Sequence, residues 1–348
     1  GQFAAWAGQM LSGKVIYRDI FVQYGPTMVF PIFLLMKFFG ATFFVFRFWN
    51  TLSVLLGFAV AFVVMRSMKV NTKLIIFSLF SLILIPGINI RTWSGVFFLY
   101  LTVKAFRKSS FGLIFLSGIV FAIIAFYSIE IALFSTITIA FYILARLIKS
   151  KNIIHEIKMV SFLFSGAVVT GLVISVIAQD QGWLGSYIFT LQEFTFSVAG
   201  INLPNGQGLP LINSPVQQGF SPVLIKFLLS KNMLFYWSLI ILLVYSSVFF
   251  ILLTFKKSMA SYTLPFLISV FSLLIYLSII GRSGHYFMIV PFIIILTSFV
   301  ISKYYDIKIG KSRMLKLFGI FLVVFFLLYT MRHVAIFRHS LLPNIISD

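Results

Sequence analysis

Long runs of apolar residues, separated by short polar or basic stretches, follow one another along almost the whole chain. A helix that spans a membrane needs about 20 largely apolar residues. The pattern predicts an all-α, polytopic helical membrane bundle over residues 43–331, within a single integral membrane domain of residues 1–348. The ten spans that it predicts are 43–65, 74–89, 92–105, 110–128, 131–147, 159–178, 232–254, 261–280, 285–302 and 317–331.

Residues 1–42 precede the first predicted span and are expected to form a loop with two short juxtamembrane helices. Within residues 2–11, apolar side chains recur at the spacing of a helix that lies along a membrane interface. These side chains are Phe3, Trp6, Ala7 and Met10. The apolar run 26–39 is too short to span a membrane and contains Pro31 and Lys37, so it is also predicted to lie on the surface.

A nearly continuous apolar run extends from Phe111 to Lys149 and is too long for one span. It is predicted to fold as a helical hairpin with its turn near Tyr127–Glu130. A carboxylate at membrane depth is costly and marks a candidate functional site. At a hairpin turn the cost is smaller, so Glu130 is either a group in a functional cavity or a polar cap at the interface.

The composition excludes a water-soluble fold of this size. Hydrophobic residues make up 61% of the chain and charged residues 10%, and the mean hydropathy is +1.08. A soluble globule must expose far more polar surface. The net charge of +20 is spread in small groups between apolar runs, which excludes the basic patch of a nucleic-acid-binding protein. The chain has no cysteine, so disulfides and Cys-based metal sites are excluded as well.

The distribution of charges predicts which loops face the cytoplasm. If 43–65 is the first span, most of the 27 Lys and Arg fall in loops on one side, as the positive-inside rule requires. Those basic loops are 66–73, 104–108, 146–158, 256–257 and 303–316. The acids that map to the opposite face are Asp19, Glu130, Asp180, Glu193 and Asp348. The long loops 1–42 and 179–231 also map there, and loops of such length are usually functional, so the active side is predicted to be extracytoplasmic.

Two charged residues near the first span are candidates for chemistry. Asp19 is the only acid in residues 1–42. Its carboxylate is either a metal ligand or substrate-orienting group, or a turn residue that pairs with the neighbouring Arg18. Arg47, near the start of the span, either reaches a substrate phosphate, which a guanidinium binds bidentately, or fixes the surface helices to the bundle.

Further candidates lie in two later segments. Arg282, His285 and Tyr286 occur together in GRSGHYFMIVP and suit a phosphate, although an ordinary polar loop with Tyr286 in the aromatic belt is the alternative. The loop 179–231 offers amides and the aromatic residues Trp183, Tyr187 and Phe194 for sugar recognition, and an unspecialised surface fits equally well. No metal-binding motif is present, which leaves a divalent cation open without a predicted site.

The order of pieces over residues 1–65 resembles that of a known family. The pieces are a short helix ending in Ser12-Gly13, a turn with Tyr17 and Asp19, the pair Gly25-Pro26, a second helix ending in Phe39-Gly40, and Arg47 on the first span. This order resembles the polytopic glycosyltransferases of the GT-C fold, which include bacterial lipid A aminoarabinose transferases and protein O-mannosyltransferases.

The resemblance implies a membrane glycosyltransferase. Its donor would be a polyprenyl-phosphate-linked sugar and its acceptor a glycan, lipid or protein, on the extracytoplasmic face of a bacterial cytoplasmic (inner) membrane. With the features above, it implies catalytic roles for Asp19 and Glu130. The residues expected to contact substrate are Tyr17, Arg18, Tyr24, Arg47, Arg282, His285 and Tyr286. In the family the general base is an Asp at the end of a preceding span, so we expect that residue before Gly1 and the chain to be an N-terminally truncated fragment.

A transport or assembly protein is the main alternative. A lipid-linked saccharide flippase, or a non-catalytic membrane subunit of polysaccharide assembly, would fit the same composition and membrane location. A transporter is expected to line its path with charges deep within several spans. In this sequence the charges concentrate at the ends of the predicted helices, which favours chemistry at the membrane surface.

Overall fold

The computed structural model describes residues 2–20, 22, 25–83, 90–150, 152–193, 231–255, 262–279 and 288–306. Within these ranges the chain forms helices joined by turns, with no β-strand. The helices are α1 (Gln2–Leu11), α2 (Pro26–Phe39), α3 (Phe43–Ser67), α4 (Thr72–Ile83), α5 (Ile90–Lys108), α6 (Phe111–Tyr127), α7 (Ile129–Lys149), α8 (Ile153–Asp180), α9 (Leu184–Glu193), α10 (Lys231–Phe255), α11 (Thr263–Ile279) and α12 (Val290–Asp306). The predicted all-α fold is confirmed for the described residues.

Three of the described helices are long and apolar enough to cross a membrane, which indicates a membrane protein. They are α3, the Ile129–Ile148 part of α7, and α8, and they match the predicted spans 43–65, 131–147 and 159–178. The number of ten spans is not confirmed. Helices α4, α6, α11 and α12 have only 12 to 17 residues, and α5 carries four basic residues. The predicted span 317–331 lies outside the described residues.

The predicted hairpin is confirmed, and so are the two helices predicted in the first loop, whose position at a membrane surface stays a prediction. Helix α6 ends at Tyr127, Ser128 is extended with φ −156°, and α7 begins at Ile129. The hydroxyl of Ser110 accepts a hydrogen bond from the Leu113 N–H and caps the start of α6. Helices α1 and α2 occupy the two segments that the apolar spacing and the flanking glycines predicted.

The chain divides into two compact units. The first comprises residues 1–60 and 89–205, and the second comprises residues 61–88 and 206–348. The predicted single integral membrane domain stays a prediction.

The first unit is built on a bundle of α5, α6, α7 and α8. Helices α5 and α7 run in the same direction, because Arg91 contacts Glu130 near their first residues and Arg146 lies over Phe106 near their last. Helix α6 runs opposite to α5, because Phe98 contacts Phe121 whereas Thr102, further along α5, contacts Ser117, earlier in α6. Helix α8 runs in the same direction as α6, because Phe111 contacts His155 in their first turns and Gly118 approaches Gly166 further along. Each end of the bundle therefore combines the N-termini of two helices with the C-termini of the other two.

Small and hydroxyl side chains let the bundle helices approach closely. A Cβ on Gly118 would overlap the backbone of Leu163, and one on Gly166 would overlap the backbone of Phe115, so α6 and α8 touch at their glycines. Midway along the bundle, the buried hydroxyls of Thr102 and Ser117 share a hydrogen bond between α5 and α6.

The first loop packs on the end of the bundle where α6 and α8 finish. Helix α2 crosses the last turn of α6: Thr27 Oγ1 donates to the Ile123 carbonyl over 3.2 Å, and a Cβ on Gly25 would overlap the carbonyl of Phe126. The buried residues of this contact are Trp6, Ala7, Ile16, Ile20, Val22, Val29, Ile32, Met36, Val45, Ala178, Trp183 and Tyr187. We call this end of the first unit the first-loop end.

In the second unit, α12 is the central helix. Its residues from Val290 to Phe299 are all buried, and α4, α10 and α11 pack around it. Two buried hydrogen bonds join it to its neighbours, from Ser298 to Ser78 of α4 and from Thr297 to Tyr245 of α10.

Candidate functional site

Asp19 lies in a tight turn between α1 and α2. Its Oδ2 accepts a hydrogen bond of 2.8 Å from the Val15 N–H, and its own N–H donates to the Val15 carbonyl over 2.8 Å. Both carboxylate oxygens also accept from Arg18, Oδ1 from Nε at 3.0 Å and Oδ2 from Nη2 at 2.9 Å. The carboxylate therefore organises the turn, which matches the second of the two sequence-based interpretations of Asp19.

The same contacts fix the charge of Asp19. The Arg18 guanidinium and the Val15 N–H lower the pKa of the Asp19 carboxyl to about 2. A carboxylate with so low a pKa is a weak proton acceptor at neutral pH, because efficient general bases have a pKa near the working pH. The exposed side chain remains an anion that suits a hydroxyl or a cation.

Tyr17 does not present its ring to a substrate. Its backbone lies in the left-handed region with φ 64°, in a turn where the Tyr17 N–H donates to the Ile20 carbonyl over 2.9 Å. The ring contacts Trp183 and Tyr187, with centroids 6.0 and 4.9 Å apart. Burial raises the pKa of the Tyr17 hydroxyl well above its ordinary value. These contacts give Tyr17 a packing role, and its predicted contact with a substrate stays a prediction.

Trp183 and Tyr187 are also buried rather than available for stacking on a sugar. Trp183 is 2% exposed and its Nε1 donates to Gln181 Oε1 over 3.0 Å, and Tyr187 is 6% exposed. The rings of Phe30 and Phe126 close the cluster from α2 and α6. The first loop covers both rings, which favours the alternative interpretation, in which this part of the loop has no specialised role in recognition. Phe194 lies outside the described residues.

Glu130 forms an ion pair that the sequence analysis missed. Its Oε2 lies 2.5 Å from Nη2 of Arg91, the second residue of α5. Arg91 Nε also donates to the hydroxyl of Ser128 at the hairpin turn, over 3.1 Å. The signal was present in the sequence, since an arginine inside an apolar run needs an acceptor.

The structure brings the Asp19 turn and the Arg91–Glu130 pair to the same end of the first unit. Tyr17 contacts Tyr187, and Tyr187 stacks on Phe126 of the last turn of α6, one turn before Glu130. Arg18 reaches the turn between α8 and α9, where its Nη1 would lie 4.0 Å from a Cβ on Gly182. The first-loop end thus carries the carboxylates of Asp19 and Glu130 and the guanidinium groups of Arg18 and Arg91, together with the aromatic cluster.

The remaining predicted site residues fall into two groups. Arg47 is exposed and its guanidinium lies 4.5 Å above the ring of Phe43, one turn earlier in α3. Tyr24, Arg282, His285 and Tyr286 lie outside the described residues. Among the residues that the structure describes, no three His, Asp or Glu side chains come together as metal ligands.

Comparisons of the chain with protein-family models, with curated proteins and with solved structures found no match.

Proposed function

We propose that this protein is a membrane glycosyltransferase that moves a hexosyl or pentosyl group from a polyprenyl-phosphate donor to an acceptor hydroxyl. The proposed site is the first-loop end, on the extracytoplasmic face of a bacterial cytoplasmic membrane. The observation that carries the proposal is the packing of the first loop. Its helices, turn and glycines occur in the order that the resemblance to the GT-C fold implied, and the loop covers the bundle end that holds Arg91 and Glu130.

Glycosyl transfer from a polyprenyl-phosphate donor needs a proton acceptor and cationic groups that stabilise the leaving phosphate. The acceptor oxygen attacks the anomeric carbon of the sugar, the bond from that carbon to the phosphate oxygen breaks, and polyprenyl phosphate leaves with the electron pair. A carboxylate takes the acceptor proton, and cations stabilise the departing phosphate. The low pKa of Asp19 assigns it to orienting the acceptor or a cation rather than to taking the proton.

Arg91 is the proposed phosphate contact of this site. Glu130 and Ser128 hold the Arg91 guanidinium in place at this end of the bundle, and a guanidinium is the side chain whose planar fork of donors best matches phosphate oxygens. Glu130 is 43% exposed and its role is to position Arg91 and face the substrate. The resemblance implies that the general base is a further Asp at the end of a membrane span, so neither Asp19 nor Glu130 is assigned that role.

The test uses the full-length protein in native membranes, supplied with radiolabelled polyprenyl-phosphate hexose and pentose donors. We expect donor-dependent label in acceptor material only where the protein is expressed. Arg91→Gln should lower transfer by about a hundredfold, the loss seen when one preorganised donor of a transition state is removed. The matched control is Arg107→Gln, which removes an exposed arginine from the other end of the same helix and should leave transfer within about threefold.

Two outcomes would overturn the proposal. The first is the absence of transfer from every donor while the protein moves a lipid-linked sugar across a vesicle membrane, which identifies a flippase. The second is transfer by Arg91→Gln at the level of the unaltered protein, because the proposed phosphate contact then takes no part in the reaction.

A further inference from the structure

The end of the first unit opposite the first-loop end is strongly basic. The last turns of α5 and α7 meet the first turns of α6 and α8 there. Arg146 lies 5.1 Å above the ring of Phe106, and Phe111 contacts the ring of His155 with centroids 5.7 Å apart. The described basic side chains that these turns bring together are Lys104, Arg107, Lys108, Arg146 and Lys158. We call this the basic end.

The basic end has one acid, and that acid is already engaged. In residues 100–120 and 140–160 the sequence contains a single carboxylate, Glu156. Arg146 binds it bidentately, with Nη2 2.6 Å from Oε1 and Nε 2.8 Å from Oε2. The Glu156 side chain is only 6% exposed. The Arg146–Glu156 pair is neutral as a whole, so the net positive charge of this surface comes from Arg107, Lys108 and Lys158.

Exposed apolar residues lie next to these cations. Ile154 is 69% exposed and lies one turn before Lys158 on the same face of α8, and Ile157 is 52% exposed and lies one turn after Ile154. Ile148, in the last turn of α7, is 75% exposed. A soluble polyanion such as RNA would leave this apolar surface in water. A phospholipid matches both the cations and the apolar residues of this surface, because its phosphate contacts the cations and its acyl chains cover the isoleucines.

We propose that the basic end is a binding surface for anionic phospholipids. The phosphate headgroup contacts Arg107, Lys108 and Lys158, with the guanidinium of Arg107 as its bidentate partner. The acyl chains lie along Ile154 and Ile157 of α8. The surface shares no residue with the proposed glycosyl-transfer site, so either proposal stands without the other.

The test measures lipid selectivity directly. The purified full chain is reconstituted in phosphatidylcholine vesicles that contain a trace of spin-labelled phosphatidylglycerol or spin-labelled phosphatidylcholine. We expect the motionally restricted fraction to favour phosphatidylglycerol by at least about fivefold, the effect of one cation at a membrane surface. Raising the salt concentration should reduce this preference, because screening weakens the contact between surface charges. A wild-type protein with no preference overturns the proposal without any variant.

Variants locate the preference on the chain. The triple variant Arg107→Gln, Lys108→Gln, Lys158→Gln changes only exposed side chains and should bring phosphatidylglycerol to within about twofold of phosphatidylcholine. The matched control Lys14→Gln, Lys37→Gln, Lys73→Gln removes the same charge from exposed lysines elsewhere and should keep the preference. Equal losses in the two variants would overturn the proposal, as would displacement of the lipid by inorganic phosphate but not by sodium chloride of equal ionic strength. Single substitutions of Arg107 and Lys158 supply the same readout if the triple variant does not fold.

Discussion

Helix α7 carries an acid–arginine contact at each end, and the two contacts differ in their surroundings. At the first-loop end, Glu130 of α7 binds Arg91 through one carboxylate oxygen and is 43% exposed. At the basic end, Arg146 of α7 holds both oxygens of Glu156, which is 6% exposed. About 24 Å of helix separates the two contacts along α7. The same chemical pair is therefore built once as an open contact and once as a closed one.

The difference separates a structural pair from one that can act. Removing one partner of a buried pair leaves an uncompensated charge, so such a pair holds its elements together whatever the protein does. The rings of Phe106 and Tyr142 flank Arg146, whose side chain is 30% exposed, so it is the Glu156 carboxylate that the protein encloses. At the first-loop end the carboxylate of Glu130 is 43% exposed, so this acid remains accessible to a ligand.

The largest expected effect is on stability at the basic end. Glu156→Gln leaves Arg146 without its carboxylate and should lower the free energy of unfolding by about 3 kcal/mol. The matched variant Glu130→Gln breaks the open pair and should cost about 1 kcal/mol or less. Reversible unfolding by denaturing detergent measures both. Equal losses would contradict the division into a closed and an open pair, and the swap of Arg146→Glu with Glu156→Arg should recover part of the larger loss.

Local patterns predicted the elements that build both ends. The apolar run from Phe111 to Lys149 is too long for one span, and the charged Glu130 indicated where it turns. The structure places the break at Ser128, two residues before Glu130. The glycines and Pro26 around 26–39 bounded α2 in the same way. The ends of these helices depend on residues that are close in the sequence, so local patterns are enough to predict them.

The contacts between distant elements could not be read in this way. Arg91 and Glu130 lie 39 positions apart and meet because α5 and α7 run in parallel. In the sequence, Trp183 belongs to a long polar loop, which gives no sign that it is buried. In the structure the rings of Tyr17 and Phe30, from distant parts of the chain, pack on it. Whether such a ring is exposed for binding or buried in the core depends on how the first loop packs, and the local sequence does not contain that information.

The next largest effect concerns the attachment of the first loop. Gly25→Ala places a methyl group against the carbonyl of Phe126, which displaces α2 from α6 and should cost about 1–3 kcal/mol through overpacking. Gly8→Ala is the control, because no atom lies within 4 Å of its added Cβ. The same detergent unfolding detects the loss, and cleavage of the first loop by an added protease should rise only in Gly25→Ala. Identical behaviour of the two variants would show that the close contact is not there.

A smaller effect is expected midway between the two ends. The hydroxyls of Thr102 and Ser117 are buried at the contact of α5 and α6 and bind each other. A double-mutant cycle with Thr102→Val and Ser117→Ala should give a coupling of about 0.6 kcal/mol, the average for hydrogen bonds between membrane helices. This coupling energy of a neutral pair is the reference against which the contributions of the Arg91–Glu130 and Arg146–Glu156 pairs are compared. A coupling near zero would indicate that the helices do not touch at this level.

The smallest effect is confined to the Asp19 turn and depends on pH. The folded pKa of Asp19 is lowered to about 2 from 3.8, so its contribution to the turn is present at neutral pH and is lost as the pH falls through that interval. An NMR titration of the Asp19 carboxyl carbon should show a midpoint near 2. Arg18 is the main cause of the shift, so Arg18→Gln should move the midpoint toward 3.8, whereas Arg47→Gln, at a guanidinium that stacks on Phe43, should leave it unchanged. A midpoint near 3.8 in the unaltered protein would mean that Asp19 does not organise the turn and that its carboxylate is open to act as a proton acceptor.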